Sequence, residues 1–125
     1  MPSLSAKERI LVVDDSSATL EVIQRNLAAA GYQAFTASGV AEAIEILNGT
    51  ELDLVITDLK MEKIDGMKVL DRTKKLYPDT EVIMITGYAP SIDGHEFGDA
   101  DGYLMKPFRF DEIDKLLKKL PPPAR

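Results

Sequence analysis

The 125-residue chain contains no cysteine and no tryptophan, and it has a single histidine. Without cysteine there can be no disulfide framework, iron–sulfur cluster, zinc ribbon or thiol nucleophile, and one histidine excludes any multi-histidine metal site. Any metal must therefore be held by oxygen. The apolar runs are all short and the N-terminal MPSLSAKER is polar with no hydrophobic stretch behind it, so neither a membrane span nor a signal peptide is expected. The expected location is the cytoplasm. Basic side chains are also in deficit, 15 Lys and Arg against 21 Asp and Glu, for a formal net charge of −6. Direct nucleic-acid binding by this domain is disfavoured, because each neutralised phosphate needs a Lys or Arg.

What is present is ordinary for a globular protein: 45% hydrophobic and 29% charged residues, in a chain long enough to bury one core. Short apolar runs alternate with helical patterns. Ile10-Leu11-Val12-Val13 is β-branched and ends at an aspartate pair, which predicts a buried strand. From Ser17 to Ala30, Leu20, Ile23, Leu27 and Ala30 recur at helical spacing, with Gly31 placed as a left-handed cap. A second strand follows at Gln33 to Ala37. A second helix is marked by Val40, Ile44 and Leu47 and ended by Asn48-Gly49, and a third strand is Leu54 to Thr57. The third helix runs from Gly66 to Leu76, stopped by Pro78; Val82 to Ile85 is the strongest strand signal, and Tyr103 to Met105 the fifth. Between Gly87 and Gly102, Pro90, Gly94 and Gly98 leave room only for a short or irregular fourth helix. A last helix carries Ile113, Leu116, Leu117 and Leu120 and must end at Pro121-Pro122-Pro123.

Five strands separated by helices predict an α/β domain with a doubly wound, five-stranded parallel sheet. Sites in such sheets lie beyond the carboxyl ends of the strands, near the switch in strand order. The residues there are Asp14, Asp15, Asp58, Thr86 and Lys106 followed by Pro107. Three close carboxylates repel one another unless a cation sits between them, and an all-oxygen donor set points to Mg²⁺, with Mn²⁺ as a substitute. Mg²⁺ shares its remaining positions with phosphoryl oxygens, and a Lys and a Thr suit the others. Each residue also has an ordinary reading: Asp14 and Asp15 as caps of the first helix, Asp58 as a turn residue, Thr86 as a strand residue and Lys106 as a solvated surface lysine.

The strings LVVDD, VITDLKM, IMITGYA and YLMKPF, in this order, closely resemble the receiver domain of bacterial two-component response regulators. The resemblance runs from Arg9 to Leu120, leaving 1–8 as a tail and 121–125 as a Pro-rich tail or the start of a linker. It implies a (βα)5 sheet of flavodoxin-like type with strand order 2-1-3-4-5, and Asp58 as the phospho-acceptor, taking a phosphoryl group from a histidine kinase or histidine phosphotransfer protein. Asp15, Asp58 and the backbone carbonyl of Lys60 would ligate Mg²⁺, with Asp14 acting through a water. Lys106 would neutralise phosphoryl charge, Thr86 would donate its hydroxyl, and Thr86 with Tyr103 would form the paired switch. The Lys106–Pro107 bond would be cis. A downstream protein or output domain would read the switch, and the protein would catalyse only its own phosphorylation and slow autodephosphorylation.

There are departures from the family pattern. Glu62 follows Met61 where a proline is usual, and neither Lys60 nor Tyr88, at the positions that tune hydrolysis, can orient water, so slow dephosphorylation is expected. The interval from Thr86 to Lys106 is shorter than usual, so the customary dimer is not assumed: a monomer or a phosphorylation-dependent dimer are both open. His95 reads as a surface histidine, and Arg109, Lys115, Lys118 and Lys119 as a helix-terminal cluster or a partner patch. The alternative function is a receiver-like interaction module that works without phosphorylation. An aspartyl-phosphate phosphatase would need an acid at Lys60, and a flavin protein a Ser/Thr/Gly-rich loop where Asp14-Asp15 stand.

Overall fold

The computed structural model describes residues 9–59, 66–86, 100–106 and 109–119, the last helix with side chains to Lys115. The expected irregular helix after Gly87 lies outside the described residues, as do Lys60, Tyr88, His95, Pro107, both tails and the side chains of Lys118 and Lys119. Five strands are present: β1 Arg9–Val13, β2 Gln33–Ala37, β3 Leu54–Asp58, β4 Glu81–Thr86 and β5 Gly102–Met105. The described helices are α1 Ser17–Ala29, α2 Val40–Gly49, α3 Gly66–Leu76 and α4 Phe110–Lys119. None of them is long and apolar enough to cross a membrane.

All strand pairs are parallel and the order is β2-β1-β3-β4-β5, as expected. The central strands β1, β3 and β4 are almost continuously apolar because both faces of the sheet are covered there, and the two-residue period of a strand divides each one between them. Leu11 and Val13 of β1, Val55 of β3 and Val82 and Met84 of β4 pack with Val40, Ala43 and Leu47 of α2 and with Val69 and Leu70 of α3. Ile10, Val12, Leu54, Ile56, Ile83 and Ile85 face the other way, onto Leu20, Ile23 and Leu27 of α1 and Ile113 of α4. Each such fully buried Leu, Ile or Val contributes about 1.5–3 kcal/mol through removal from water.

Helix ends follow local chemistry. Past α1, Gly31 has φ +99°, its N–H donates to Ala28 O (3.0 Å) and the Tyr32 N–H to Leu27 O (3.0 Å), a Schellman cap that needs the left-handed residue glycine supplies. At its start the N-cap is Ser16, whose Oγ accepts from Thr19 N at 3.2 Å, so neither Asp14 nor Asp15 caps the helix. Helix α4 begins at Phe110, ahead of the first apolar-periodic residue Ile113. The Glu112 carboxylate reaches back to accept from Arg109 N at 3.1 Å, the reciprocal half of a capping box.

The amino ends of the strands are pinned by a separate set of polar contacts. Asp53 accepts from Arg9 N (2.9 Å), Thr80 Oγ1 donates to Leu52 O (2.6 Å), and Asp101 accepts from both Val82 N and Lys74 Nζ (2.8 Å each). These groups hold one rim of the sheet closed. The opposite, carboxyl rim carries the unusual chemistry.

Candidate functional site

The chain turns one way from β1 to β2 and the other way to β3, so the carboxyl ends of β1 and β3 part at the switch in strand order. Asp14 and Asp15 leave β1 there, and Asp58 is the last residue of β3. Asp14 is fixed twice: its N–H donates to Ala37 O at 3.1 Å, and its Oδ1 accepts from Ser16 N at 2.9 Å. Carboxylate oxygens of Asp14, Asp15 and Asp58 all lie within 4.8 Å of one another, with Asp14 and Asp58 buried and Asp15 exposed. Lys106, immediately after β5, is placed by its N–H on Thr86 O (2.8 Å) and sends Nζ to Asp58 Oδ2 at 3.0 Å. The Asp58 side chain is 6% exposed and that of Lys106 43%, so the ion pair is reachable from one side.

The electrostatics follow from this crowding. Burial, reinforced by the charges of Asp58 and Asp15, pushes the Asp14 carboxyl above its ordinary value against the opposing pull of the Ser16 N–H and Lys106. Burial works against the charge on Lys106. Its hydrogen bond to Asp58 and the surrounding carboxylates nevertheless hold its ammonium above the ordinary lysine value.

The remaining Asp14 oxygen, Oδ2, is buried with no hydrogen-bond partner among the described residues. An unpaired buried carboxylate oxygen is costly, and here it belongs to a three-carboxylate cluster of hard donors. The donor set therefore fits a divalent oxygen-seeking cation such as Mg²⁺, with Asp14, Asp15 and Asp58 as the residues that could hold it. An Asp14→Asn variant is expected to melt at a higher temperature than the parent in the absence of divalent metal, by about 1 kcal/mol in stability, since it keeps the Oδ1 acceptor for Ser16 and loses the buried charge. The sign follows from linkage. A carboxyl raised in the folded state makes stability fall as pH climbs from the ordinary value of 3.8 through the raised one, and the variant should lack that fall. Thermal melts across that pH window, with and without Mg²⁺, check both effects.

Thr86 is buried at the end of β4. Met84 pairs with Tyr103 and Thr86 with Met105, so Thr86 and Tyr103 share a sheet face two residues apart in register. Tyr103 is 42% exposed, half in and half out of that face. The structure thus brings Asp14, Asp15, Asp58, Thr86 and Lys106 to one rim with Tyr103 on the adjoining strand. Two more residues crowd Asp58: Thr57, read from the sequence only as a strand residue, and Gly66, read there as the start of the third helix and as the glycine that the family pattern keeps. Thr57 Oγ1 donates to Asp58 O (3.1 Å), and a Cβ at Gly66 would collide with that same carbonyl. A hydroxyl at the end of an otherwise apolar strand and a glycine opening a helix were the available signals.

Comparison with known proteins gives this rim a context. The sequence profile of the response regulator receiver domain matches residues 10–118. Over 118 residues, 92% of this chain, the sequence is 35% identical to the probable transcriptional regulator ycf27 of Guillardia theta and covers 46% of it. The chain spans about half the length of the curated relatives it matches. Among solved structures, the response regulator protein TrrA of Thermotoga maritima in complex with Mg²⁺–BeF superposes with a TM-score of 0.80 at 35% identity, over 90% of this chain and 97% of that one. A response regulator protein from Burkholderia pseudomallei with a phosphorylated aspartic acid and a calcium ion superposes with a TM-score of 0.79 at 26% identity, over 90% of this chain and 67% of that one. With residues 10–118 matched by the profile and solved response regulators superposing at TM-scores of 0.79 and 0.80, the chain belongs to the response regulator receiver domain family of two-component signalling.

Proposed function

We propose that this domain is a cytoplasmic phosphorylation switch in which Asp58 accepts a phosphoryl group from a phosphohistidine on a kinase or phosphotransfer partner. The observation that carries the reading is the pairing of a buried strand-end carboxylate, Asp58, with Lys106 Nζ at 3.0 Å beside two further carboxylates. The phosphorylated aspartic acid of the Burkholderia protein and the Mg²⁺–BeF complex of TrrA support it by likeness.

In the step itself a carboxylate oxygen of Asp58 attacks phosphorus, an O–P bond forms, the N–P bond of the donor breaks, and the imidazole leaves with its electron pair and takes up a proton. Asp58 begins the reaction in contact with Lys106 Nζ. Lys106 then neutralises part of the roughly −1.5 to −2 charge of the new acyl phosphate. Mg²⁺, held by Asp14, Asp15 and Asp58, would supply the remaining positive charge that lets an anionic nucleophile approach an anionic donor. Thr86 donates its hydroxyl to a phosphoryl oxygen, and Tyr103, sharing its sheet face, follows it inward, so the surface over β5 changes with phosphorylation. A downstream partner or output domain reads that surface. The domain's catalysis extends only to its own phosphorylation and to slow hydrolysis of the acyl phosphate.

The test is incubation with a small phosphodonor such as acetyl phosphate, with Mg²⁺ and with a chelator, followed by mass spectrometry and peptide mapping. One phosphoryl group mapped to Asp58, dependent on Mg²⁺ and lasting minutes or longer, is the expected result. No uptake under any condition would instead favour a receiver-like interaction module that operates without phosphorylation.

A further inference from the structure

The carboxylate of Asp58 can be no better placed than the backbone that carries it. In the sheet register Thr57 is matched with Val13 of β1 and Asp58 with Ile85 of β4. Further contacts gather around this strand end. Leu59 N donates to Ile85 O at 2.8 Å, and Gly66 N donates to Leu59 O at 2.6 Å, drawing the start of α3 against the end of β3. The Asp58 carbonyl lies between them. Thr57 Oγ1 donates to it at 3.1 Å, and the Gly66 α-carbon is so close that an added Cβ would overlap the carbonyl oxygen and approach Thr57 Oγ1 to 3.1 Å. The atom in the way is backbone, which cannot swing aside as a flexible side chain could.

Thr57 is itself fully buried, on the Val55 face of the strand, where the helix α3 packs. A buried hydroxyl in a strand position that Val or Ile would fill equally well asks for a reason, and the reason visible here is its bond to the next residue's carbonyl.

We propose that Thr57 and Gly66 are positioning residues for the phospho-acceptor. The Thr57 hydroxyl and the bare α-carbon of Gly66 form a cradle that fixes the Asp58 carbonyl, and through it the direction in which the Asp58 carboxylate leaves the strand toward Lys106. The inference rests on the reading of Asp58 as acceptor.

Thr57→Val keeps the shape and removes the donor; Thr57→Ser keeps the donor and removes a methyl. With Mg²⁺ and saturating acetyl phosphate, Thr57→Val should take up phosphoryl about tenfold more slowly than the parent, with the half-saturating donor concentration unchanged, because misplacing a reacting group by a fraction of an ångström acts on the chemical step. Thr57→Ser should return to within about twofold of the parent. In the metal-free protein, the Asp58 carbonyl ¹³C resonance should move in Thr57→Val and recover in Thr57→Ser, a readout that does not depend on turnover. Gly66→Ala should slow uptake further and lower the melting temperature; if it fails to fold, the Thr57 pair carries the test. A folded Thr57→Val that reacts at the parent rate, or a Thr57→Ser as slow as Thr57→Val, overturns the positioning role while leaving the acceptor reading intact. A parent protein that takes up nothing, or one in which Asp58→Asn reacts like the parent, overturns the acceptor reading itself.

Discussion

An Asp58→Asn protein is expected to lose phosphoryl uptake by at least about three orders of magnitude, the scale on which removal of a nucleophile acts in an enzyme. The amide has nearly the shape of the carboxylate, so the change is chemical rather than structural: its oxygen carries no formal charge with which to attack phosphorus. Two further consequences separate this variant from one that has merely been damaged. One of the three anionic donors within 4.8 Å is gone, so Mg²⁺ affinity should fall by about tenfold or more, measurable by calorimetric titration. The charge of Asp58 is also among the causes that push the Asp14 carboxyl upward, so the metal-free variant should show a weaker loss of stability as pH rises through the carboxylate range. A variant that is folded, weak in Mg²⁺ binding and inert toward acetyl phosphate fits the assignment; one that takes up label at the parent rate removes Asp58 from the centre of it.

The elements that sequence alone located are those in which one physical requirement dominates. Ile10 to Val13 and Val82 to Ile85 read as strands because a parallel strand is buried on both faces and has no polar alternation to blur it. Gly31 announced a helix end because its backbone has to be left-handed. Asp14, Asp15, Asp58 and Lys106 stood out because, ordinary one by one, they fall together at the carboxyl ends of three strands, where sites in such sheets lie. What escaped notice are contacts that residue type does not encode. Ser16 takes the cap that Asp14 or Asp15 could equally have filled, because Asp14 is already turned to receive the Ser16 N–H. The start of α4 at Phe110 depends on Glu112 folding back over Arg109, a bond that the apolar periodicity beginning at Ile113 does not register.

The acids at the two ends of the sheet make the same point about function. Asp53 and Asp101 carry the same side chain as Asp14 and Asp58, but each accepts a backbone N–H at the amino end of a strand, and Asp101 also has Lys74. They are satisfied singly. At the carboxyl end the acids face one another, and Asp14 Oδ2 is left buried with no partner among the described residues. These aspartates are thus of two kinds, acids that fasten the fold and acids whose mutual repulsion a divalent cation would relieve. Only their partners tell them apart, and the partners are set by topology.

Replacing Lys106 with Met should have effects of opposite sign on the two partners of the site. Met retains much of the length of the stem and removes the ammonium that touches Asp58 Oδ2 at 3.0 Å. Phosphoryl uptake at saturating Mg²⁺ should fall about 100-fold, the loss typical of removing one charge-stabilising donor from a preorganised site. Mg²⁺ itself should bind more tightly, by severalfold, because Lys106 is a positive charge lying against a carboxylate the cation would share. Without metal the variant should be less stable than the parent, since the three carboxylates then repel one another with the Lys106 charge removed, and added Mg²⁺ should restore most of the difference. The stability difference is modest, because the lysine side chain is 43% exposed and solvent screens the pair. The pH dependence follows the raised ammonium: its contribution is fully present below the ordinary lysine value of 10.5 and is lost only as pH rises through the higher folded value, so neutral and mildly alkaline melts should keep the gap between parent and variant constant. Slower uptake combined with tighter Mg²⁺ binding assigns Lys106 to the phosphoryl group rather than to the metal. If Mg²⁺ binding weakens along with uptake, Lys106 instead serves to hold Asp58 in place for the cation.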